Sequence, residues 1–547
     1  MGINIAVIDF ETDPFKFMRV PRPFCCEFLS DKHCEVFWGP DCADQLVRFL
    51  KTIKKKYYIF AHNGGKFDFH FLHPYLENPV KVINSRIVSA KLEHHTLRDS
   101  YAILPIPLRD YEKDEFDYSK MERPRREKHK DEILRYLHSD CVNLLRLVSE
   151  FIERFKLQLT IGSTAMKQLQ AFHPSRRLHE KEDAIFRPYY FGGRVQCFEH
   201  GILKGPWQCL DVNSSYPKSM RDRKHPVNGA FDVSAKMPDN FDMPFFLRFE
   251  GRNRGALPVK LKDGSLSFEQ EYGEFRACSH ELEVALRLGL VDITRVLECH
   301  RATETISFDT YVDTYYEQKI QSKKTGDKSG ELFAKLLLNS GYGKYGQNPD
   351  NFRDWIISRD PGDFVTLEEN GYELDSEFPD FDLWSRPSET GERALFDVSI
   401  AASITSASRA LLLDGLHQAE RPVYCDTDSI ICRGFSGQVD PNVLGAWKLE
   451  KTTDYVAIAG KKLYAMYDDK KQCCGSKSPE CSKARKCLAA AKLASKGGTL
   501  NLRDIQEICQ GGEVIYNQAA PTFSIKTEKV RFSTRKFKMT VDDESGL

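Results

Sequence analysis

The chain has 547 residues, of which 41% are hydrophobic and 29% charged, and its 79 basic side chains balance its 79 acidic ones. This length predicts several domains rather than one core. No apolar run approaches the roughly 20 residues of a membrane span, and the N-terminus lacks the basic start of a signal peptide. We therefore expect an intracellular protein with reduced thiols and no membrane partner. The neutral total is compatible with nucleic-acid binding only if basic and acidic patches offset each other.

An apolar segment near the N-terminus, residues 3–8, predicts a buried strand. It runs directly into Asp9 and Glu11. Carboxylates at the end of a central strand are where an α/β domain places its chemistry. A polar exit from the strand is the simpler interpretation of this segment alone.

Two later elements add carboxylates. Asp68 heads a predicted helix after the apolar segment 57–61, and a helix predicted over about 130–155 carries Tyr136 and Asp140 one turn apart. The three elements together offer four acidic groups. Such a set can hold two divalent cations, one of which generates a hydroxide.

The stretch 424–430 places Asp426 and Asp428 between apolar residues. In an extended segment, positions i and i+2 point to the same face, so we expect both aspartates to aim together from a hairpin. Two like charges that close repel each other unless a cation lies between them. A polar β-turn is the alternative for this stretch taken alone.

Residues 308–345 form a long amphipathic pattern with a break at 325–327, which predicts two helices joined by a short turn. Lys335, Asn339 and Tyr342 lie on adjacent turns of one face. A lysine ammonium can hold a triphosphate, and a tyrosine can stack on a base pair. A purely structural helical hairpin is the alternative.

Taken in chain order, the elements resemble the motifs of family B DNA polymerases. The resemblance covers almost the whole chain. D-x-E, N-x3-F-D and Y-x3-D resemble the 3′–5′ proofreading exonuclease, and Y-x-G-G resembles the linker that follows it. D-x-x-S-x-Y-P, K-x3-N-S-x-Y-G, Y-x-D-T-D-S and K-x-Y resemble the synthesis motifs, with Ser215 where leucine is usual. The long gaps at roughly 224–305 and 350–395 resemble the protein-primed subgroup of small phages, viruses and linear plasmids.

This resemblance implies a multidomain fold of α/β plus α+β type. An RNase H-like 3′–5′ exonuclease domain would precede a right-hand polymerase with an antiparallel-sheet palm, helical fingers and a small thumb. The expected divisions are the exonuclease domain 1–185, the linker and first palm segment 186–223, a terminal-protein-docking insertion with palm elements 224–305, the fingers 306–349, a processivity and strand-displacement insertion 350–395, the second palm segment 396–470, and the thumb with a basic tail 471–547.

For the exonuclease site, the resemblance implies four metal ligands, a water-positioning tyrosine and a set of contacts with the single-stranded 3′ end. The ligands are Asp9, Glu11, Asp68 and Asp140, and the tyrosine is Tyr136. The DNA contacts are Thr12, Asn63, Phe67, Ser100 and Tyr101. Tyr101 stands where the family's extra DNA-binding motif has a leucine, which weakens that correspondence.

For synthesis, Asp211 and Asp428 are the implied catalytic metal ligands, together with the Val212 carbonyl, and Asp426 is a less direct participant. Tyr216 would lie under the incoming sugar and exclude a 2′-hydroxyl. The nucleotide-binding set is Val212, Tyr216, Lys323, Lys335, Asn339 and Tyr342, with Lys324 as an additional phosphate contact. The DNA-binding set is Tyr190, Gly192, Gly193, Ser214, Gly343, Thr427, Lys462 and Tyr464.

The implied cofactor is Mg²⁺, two ions per active site, with Mn²⁺ as a substitute. The implied partners are a DNA template and primer, dNTPs and a terminal priming protein. The polymerase would be a monomer, or a heterodimer with that protein, in the host-cell cytoplasm if the genome is viral. A family B polymerase with nucleic-acid priming or primer-independent initiation is the alternative, since it would use the same catalytic residues.

Two features near the C-terminus each allow two interpretations. A cysteine cluster amid lysines lacks the paired spacing of a zinc knuckle, so we favour a thiol-bearing basic loop over a zinc site. The basic run 523–537, interleaved with phenylalanines, is typical of a DNA-embracing thumb, with a solvated tail as the alternative. The cysteines are Cys473, Cys474, Cys481 and Cys487.

Overall fold

Two large β-sheets organise the computed structural model of the chain. We call them the N-terminal sheet, which has ten strands, and the central sheet, which has seven. The structure describes residues 3–14, 21–107, 115–388, 395–468, 492–496, 500–517, 522–524, 529–531 and 534–539.

The strand Ile5–Thr12 lies inside the N-terminal sheet and has helices on both sides. Ala6 and Ile8 pack into a core with the helix Cys42–Thr52, whereas Val7 packs into the core of the helix Lys130–Phe155. Because side chains alternate along a strand, Asp9 and Glu11 share the face of Val7. The sheet order is Glu373–Glu377, Asp382–Pro387, Arg353–Ser358, Leu76–Ile83, Arg86–Leu92, His95–Asp99, Tyr58–Ala61, Ile5–Thr12, Pro23–Ser30 and Cys34–Trp38.

Only two neighbouring pairs in the described part of this sheet are parallel: Tyr58–Ala61 runs parallel to both Ile5–Thr12 and His95–Asp99. The strand predicted from residues 3–8 is confirmed. The helix predicted over 130–155 is confirmed as well, at Lys130–Phe155. Asp68 begins a 3-10 helix, Asp68–Tyr75, rather than an α-helix, and this helix contains Pro74.

Three strands from the predicted insertion 350–395 complete the N-terminal sheet. Arg353–Ser358 pairs with Leu76–Ile83 at Trp355 and Val80. The Asn78 side chain closes the junction, since its Nδ2 donates to the Ile357 carbonyl at 2.8 Å and its Oδ1 accepts from the Ile357 amide at 2.9 Å. This far-separated segment therefore extends the N-terminal sheet instead of standing apart from it.

The central sheet is antiparallel throughout its described strands. Its longest strands, Trp447–Gly460 and Gly201–Val212, pair along most of their length. Trp207 and Tyr424 are fully buried in its core. The sheet order is Lys492–Ser495, Leu463–Tyr467, Trp447–Gly460, Gly201–Val212, Ser429–Cys432, Tyr424–Asp426 and Val195–Cys197.

The predicted helical hairpin is confirmed as Asp309–Thr325 and Lys328–Tyr345. Gly326 ends the first helix with a φ of +74°, a conformation that favours glycine, and Asp327 caps the second helix by accepting from the Gly330 amide at 2.9 Å. The turn between the two helices therefore lies where the sequence predicts the break.

The other elements surround these sheets. A four-stranded sheet in the predicted insertion 224–305 has the order Phe231–Ser234, Val291–Ala302, Phe245–Asn253 and Tyr272–Cys278. The remaining α-helices in the described parts of the chain are Ile161–Phe172, Glu180–Phe186, Ser215–Asp222, Ser279–Arg287, Phe364–Glu369, Val398–Gln418 and Leu502–Cys509. Two-stranded ribbons pair His225–Pro226 with Thr305–Ile306, Val259–Lys260 with Leu266–Ser267, Ala419–Glu420 with Gly434–Phe435, Val514–Asn517 with Thr534–Phe537, and Thr522–Ser524 with Lys529–Arg531.

Within the described ranges, no helix combines the length and the apolar character needed to cross a membrane. The cysteine cluster at 473–487 lies outside the described residues.

Candidate active sites

The turn of one hairpin in the central sheet carries Asp426 and Asp428. Asp426 ends its strand and pairs with Ser429, so Thr427 and Asp428 form the two-residue turn. Thr427 has a φ of +59°, which breaks the extended geometry between the aspartates. The expectation that both aspartates share a face of an extended segment was therefore wrong. The turn chemistry and the paired carboxylates coexist, and each carboxylate has its own surroundings.

Asp428 lies beside Asp211, at the end of the neighbouring strand. Ser429 pairs with Asp211, and the Val212 amide donates to the Asp428 carbonyl at 2.7 Å. Burial followed by the Asp428 charge raises the pKa of Asp211 to about 7, and burial followed by the Asp426 charge raises the pKa of Asp428 to about 6. Crowded carboxylates of this kind suit a divalent cation, which prefers oxygen ligands.

A cavity of about 380 Å³ opens above these two carboxylates. The rings of Tyr216 and Tyr342 stack near it, with centroids 4.3 Å apart and planes inclined by 19°. Asn339 and Lys335 reach it from the second hairpin helix. The lining residues are Asp211, Val212, Asn213, Ser214, Ser215, Tyr216, Lys319, Lys335, Leu338, Asn339, Asp428 and Lys448.

Two lysines in this lining, Lys319 and Lys448, were missed by the sequence analysis. Lys319 lies one helical turn before Lys323, which is exposed and is not part of the lining. Burial, then the charge of Lys335, lowers the pKa of Lys319. A strongly positive region therefore faces the carboxylates. The sequence feature that could have identified Lys319 is its i, i+4 spacing from Lys323, which places both lysines on one helix face.

Asp426 faces away from the cavity lining toward the strand Leu463–Tyr467. The Tyr424 hydroxyl donates to its Oδ2 at 3.3 Å, and Lys462 Nζ lies 3.3 Å from its Oδ1. Tyr464 packs on Tyr424 with ring centroids 4.8 Å apart. The residues predicted from the K-x-Y motif are thus brought next to Asp426.

One of the two predicted linker glycines, Gly193, packs against the aspartate turn. A Cβ on Gly193 would lie 2.8 Å from the Thr427 side chain, so only glycine permits this approach. The Thr427 amide donates to the Arg194 carbonyl at 2.7 Å. Tyr190 is partly buried against Gly346, next to the hairpin helix that carries Gly343, which is itself exposed.

A buried ion pair that the sequence analysis missed holds this linker. Arg409 Nε and Nη2 donate to the Glu281 carboxylate at 2.7 and 2.8 Å, and Arg409 Nη1 donates to the carbonyls of Phe191 and Gly192 at 2.8 and 3.0 Å. Both charged side chains are at most 4% exposed. The available signal was an arginine inside the otherwise small and apolar helix Val398–Gln418.

A second carboxylate site forms on the N-terminal sheet. Asp9 and Glu11 lie on the strand Ile5–Thr12, and the fully buried Asp68 accepts from the Phe10 amide at 3.1 Å. Burial, then the charge of Asp9, raises the pKa of Asp68. The structure thus brings together carboxylates that are about 60 residues apart in the sequence.

The helix Lys130–Phe155 brings Tyr136 and Asp140 to the same place, and both are buried. Burial, a hydrogen bond with Tyr118, and then the charges of Asp140 and Glu11 raise the pKa of the Tyr136 hydroxyl. That hydroxyl lies 2.9 Å from the Tyr118 hydroxyl, and the Tyr136 ring stacks on Phe116 at 4.6 Å. All four predicted carboxylates therefore surround one region, at whose edge Tyr136 is held.

An arginine links the residues predicted to contact a 3′ end. Arg86 Nη1 donates to Asn63 Oδ1 at 2.7 Å and to the buried Asp99 at 2.6 Å, and its guanidinium lies 4.7 Å from the Tyr101 ring centroid. The sequence analysis did not identify Arg86. Of the remaining predicted contacts, Thr12 is buried near Asp13, Phe67 packs edge-on to Phe71, and Ser100 bonds to His62 at 3.0 Å.

Comparison with known proteins identifies the family of this chain. Residues 106–429 match the family described as DNA polymerase type B, organellar and viral. The DNA-directed DNA polymerase of Enterobacteria phage PRD1 is 44% identical over 504 residues, which cover 92% of this chain and 87% of that protein. The chain is a type B DNA polymerase. The predicted family membership is thereby confirmed, and its activity is DNA-directed DNA synthesis.

This polymerase also resembles a phage polymerase of known structure. The DNA polymerase of Bacillus phage phi29 is 25% identical over 417 residues, which cover 68% of this chain and 67% of that one. The phi29 DNA polymerase complexed with primer-template DNA superimposes with a TM-score of 0.71 at 18% identity, over 98% of this polymerase and 100% of that chain. The superposition confirms the expected fold class, an exonuclease-type domain followed by a right-hand polymerase.

Proposed function

We propose that this polymerase joins nucleotides at Asp211 and Asp428, with Asp426 in a supporting role. The observation that carries the proposal is the cavity that contains both aspartates and opens toward Lys319 and Lys335. Asp211, Asp428 and the Val212 carbonyl would hold two divalent cations. Bound there, Mg²⁺ or Mn²⁺ would lower the pKa of the primer 3′-hydroxyl and neutralise charge on the α-phosphate and the leaving pyrophosphate.

Different residues around this cavity contact different parts of the nucleotide. The lysine ammonium groups hold the triphosphate as point charges. Tyr342 stacks on Tyr216, which fixes the floor against which the sugar and base are placed. A bulky ring at Tyr216 leaves no room for a 2′-hydroxyl, so this residue selects deoxyribonucleotides. A Tyr216→Val variant should incorporate ribonucleotides that the wild type rejects.

We propose 3′–5′ proofreading for the second site. Asp9, Glu11, Asp68 and Asp140 form an oxygen-only donor set suited to two Mg²⁺ ions, and Tyr136 orients the attacking water. The raised pKa of Asp68 supports this assignment, because a carboxylate buried beside Asp9 is costly without a compensating cation. The aromatic and amide groups of Phe67 and Asn63 would hold the frayed 3′ end, since stacking accepts any base.

We further propose that initiation is primed by a protein. The supporting observation is that both long gaps between motifs are folded segments: one forms a four-stranded sheet, and the other extends the N-terminal sheet. The first would dock a terminal protein, and the second would border the DNA path, giving processivity and strand displacement. A nucleophilic hydroxyl on the terminal protein would replace the primer 3′-hydroxyl over Asp211 and Asp428.

Protein priming is tested without any nucleic-acid primer. The polymerase, a labelled dNTP, Mg²⁺ and the terminal protein encoded by the same genome should yield a labelled protein band that resists denaturation. An Asp428→Asn polymerase is the matched control and should give no band. If the wild type extends a DNA primer under the same conditions but forms no protein–nucleotide adduct, initiation uses a nucleic-acid primer or none.

A further inference from the structure

Three metal-ligating side chains meet outside both active sites, at the outer edge of the N-terminal sheet. Glu27 lies on the strand Pro23–Ser30, Cys34 on the edge strand Cys34–Trp38, and His138 on the helix Lys130–Phe155. Their ligand atoms all lie within 4.8 Å of one another. The strand register explains the meeting, because Glu27 pairs with Val36 and Leu29 pairs with Cys34, which puts Glu27 and Cys34 on one face.

The Glu27 carboxylate is the unusual member of this cluster. Its side chain is 0% exposed, and its Oε2 has no hydrogen-bond partner among the described residues. Its Oε1 accepts from His138 Nδ1 at 2.7 Å and from Cys34 Sγ at 3.6 Å. A buried carboxylate oxygen without a partner costs free energy, and a cation bound beside Glu27 would offset that cost.

The donor set selects the kind of cation. Sulfur and imidazole ligands favour Zn²⁺, whereas the oxygen-only sites described above favour Mg²⁺. In tetrahedral Zn²⁺ ligation, neighbouring ligand atoms lie about 3.3–3.6 Å apart. The sulfur–oxygen distance already fits, and the nitrogen–oxygen distance has to open by only about half an ångström. The His138 side chain is 50% exposed and borders a surface depression of about 560 Å³, so it has room to move and an ion can reach it.

We propose that Glu27, Cys34 and His138 bind a zinc ion, with water as the fourth ligand. The site is independent of the proposed exonuclease chemistry, although it lies one strand outward from Asp9, with which Glu27 pairs. Its effect is structural. The ion fastens the helix Lys130–Phe155 to the two outermost strands of the sheet, on the helical turn between Tyr136 and Asp140.

The experiment measures Zn²⁺ stoichiometry on the full chain after all metal is removed with a chelator. The background carries Asp9→Ala and Asp68→Ala, so that the N-terminal carboxylates do not compete. Cys34→Ser and His138→Gln should each bind one fewer tight equivalent of Zn²⁺ than this background. With Co²⁺ as the probe, Cys34→Ser should lose the near-ultraviolet band of a thiolate–cobalt bond. Cys34 is exposed on an edge strand, so its replacement leaves the core intact.

Matched controls separate this site from other thiols and imidazoles. Cys509→Ser and the exposed His94→Gln should keep the full Zn²⁺ stoichiometry, and a Cys473→Ser, Cys481→Ser variant should still lose one equivalent when Cys34→Ser is added. Zn²⁺ should raise the melting temperature of the background but not of the His138→Gln variant. Equal stoichiometry with and without Cys34, or an unchanged cobalt spectrum in Cys34→Ser, would overturn the proposal.

Discussion

The two carboxylate sites of this polymerase both hold acidic side chains close together, but they are built from different elements of secondary structure. In the central sheet, Asp211 comes from a strand and Asp428 from the turn that precedes the neighbouring antiparallel strand, and hydrogen bonds fix their positions. On the N-terminal sheet, carboxylates come from a strand, a 3-10 helix and a long α-helix. The first arrangement leaves an open cavity, whereas the second buries Asp68 and Asp140 and leaves Asp9 and Glu11 partly exposed.

The side chains around the two sites differ as well. Lysines approach the central site, as a triphosphate substrate requires, and Lys335 lines its cavity. The N-terminal site instead carries the aromatic pair of Tyr136 and Tyr118. A site lined by lysine side chains can accept a polyanion. A site bordered by aromatic rings suits a single unpaired nucleotide. This comparison predicts that each site can be disabled alone.

The largest expected effect is the loss of synthesis in Asp428→Asn. Incorporation should fall by about 10³-fold or more, because the variant lacks the carboxylate that we propose as a metal ligand at the reacting centre. Single-turnover extension of a labelled primer measures it. Asp426→Asn is the matched control two residues away and should lose far less. Equal losses in the two variants would refute the distinction between these aspartates.

A smaller effect is expected for Tyr136→Phe on the other site. Removing the hydroxyl that we propose orients the attacking water should slow 3′ trimming by about 10²-fold, with primer extension unchanged. Tyr118→Phe, which removes only the neighbouring hydroxyl, should have a weaker effect on the trimming rate. If Tyr136→Phe degrades single-stranded DNA at the wild-type rate, the water-positioning role is wrong.

The lysines of the helical hairpin should differ in their contribution to nucleotide binding. Lys335→Ala and Lys319→Ala should each raise the KM for dNTP by about 10-fold, the typical cost of a charged hydrogen bond. Lys323→Ala should change it less, since Lys323 does not line the cavity. The rate of steady-state incorporation, measured as a function of dNTP concentration, gives the KM of each of the three variants. A larger effect at Lys323 than at Lys319 would show that the helix turns when nucleotide binds.

The smallest effect is a pH-dependent change in stability. In the metal-free protein the pKa of Asp211 is raised from 3.8 to about 7, so between these values the folded state binds a proton that the unfolded state has lost. The free energy of unfolding contributed by this group therefore increases as the pH falls from 8 to 5.

Replacement of this carboxylate removes that dependence. Asp211→Asn should melt a few degrees above the wild type at pH 8 in chelator, and the difference should shrink toward pH 5. Thermal melts across this range test the sign. A variant that is less stable than the wild type at pH 8 would show that Asp211 is not destabilised by burial and by its neighbours.

Local sequence patterns predicted much of this molecule, because the relevant chemistry is carried by short segments. The spacing around Asp211, Lys335 and Asp428 was sufficient to identify the family. Features that join distant segments were not predictable in this way. The Arg409–Glu281 pair spans 128 residues, and the bond between Asn78 and Ile357 spans 279. The left-handed Thr427 fits the polar turn that the sequence left open as the alternative to an extended segment, because an alternating pattern does not by itself decide between the two.

The central claim is that two independent sites share one primer end, and nucleotide idling tests it most directly. With primer-template and only the next correct dNTP, the wild type should convert dNTP to dNMP, since each added nucleotide is removed again. Asp428→Asn should only shorten the primer, and Asp9→Asn with Asp68→Asn should only lengthen it. Asp428→Asn releases dNMP from the unlabelled primer as it shortens it, so the label is carried by the dNTP. Neither variant should convert labelled dNTP to labelled dNMP, whereas a mixture of the two should. Conversion of the labelled dNTP to labelled dNMP by either variant alone would contradict the account.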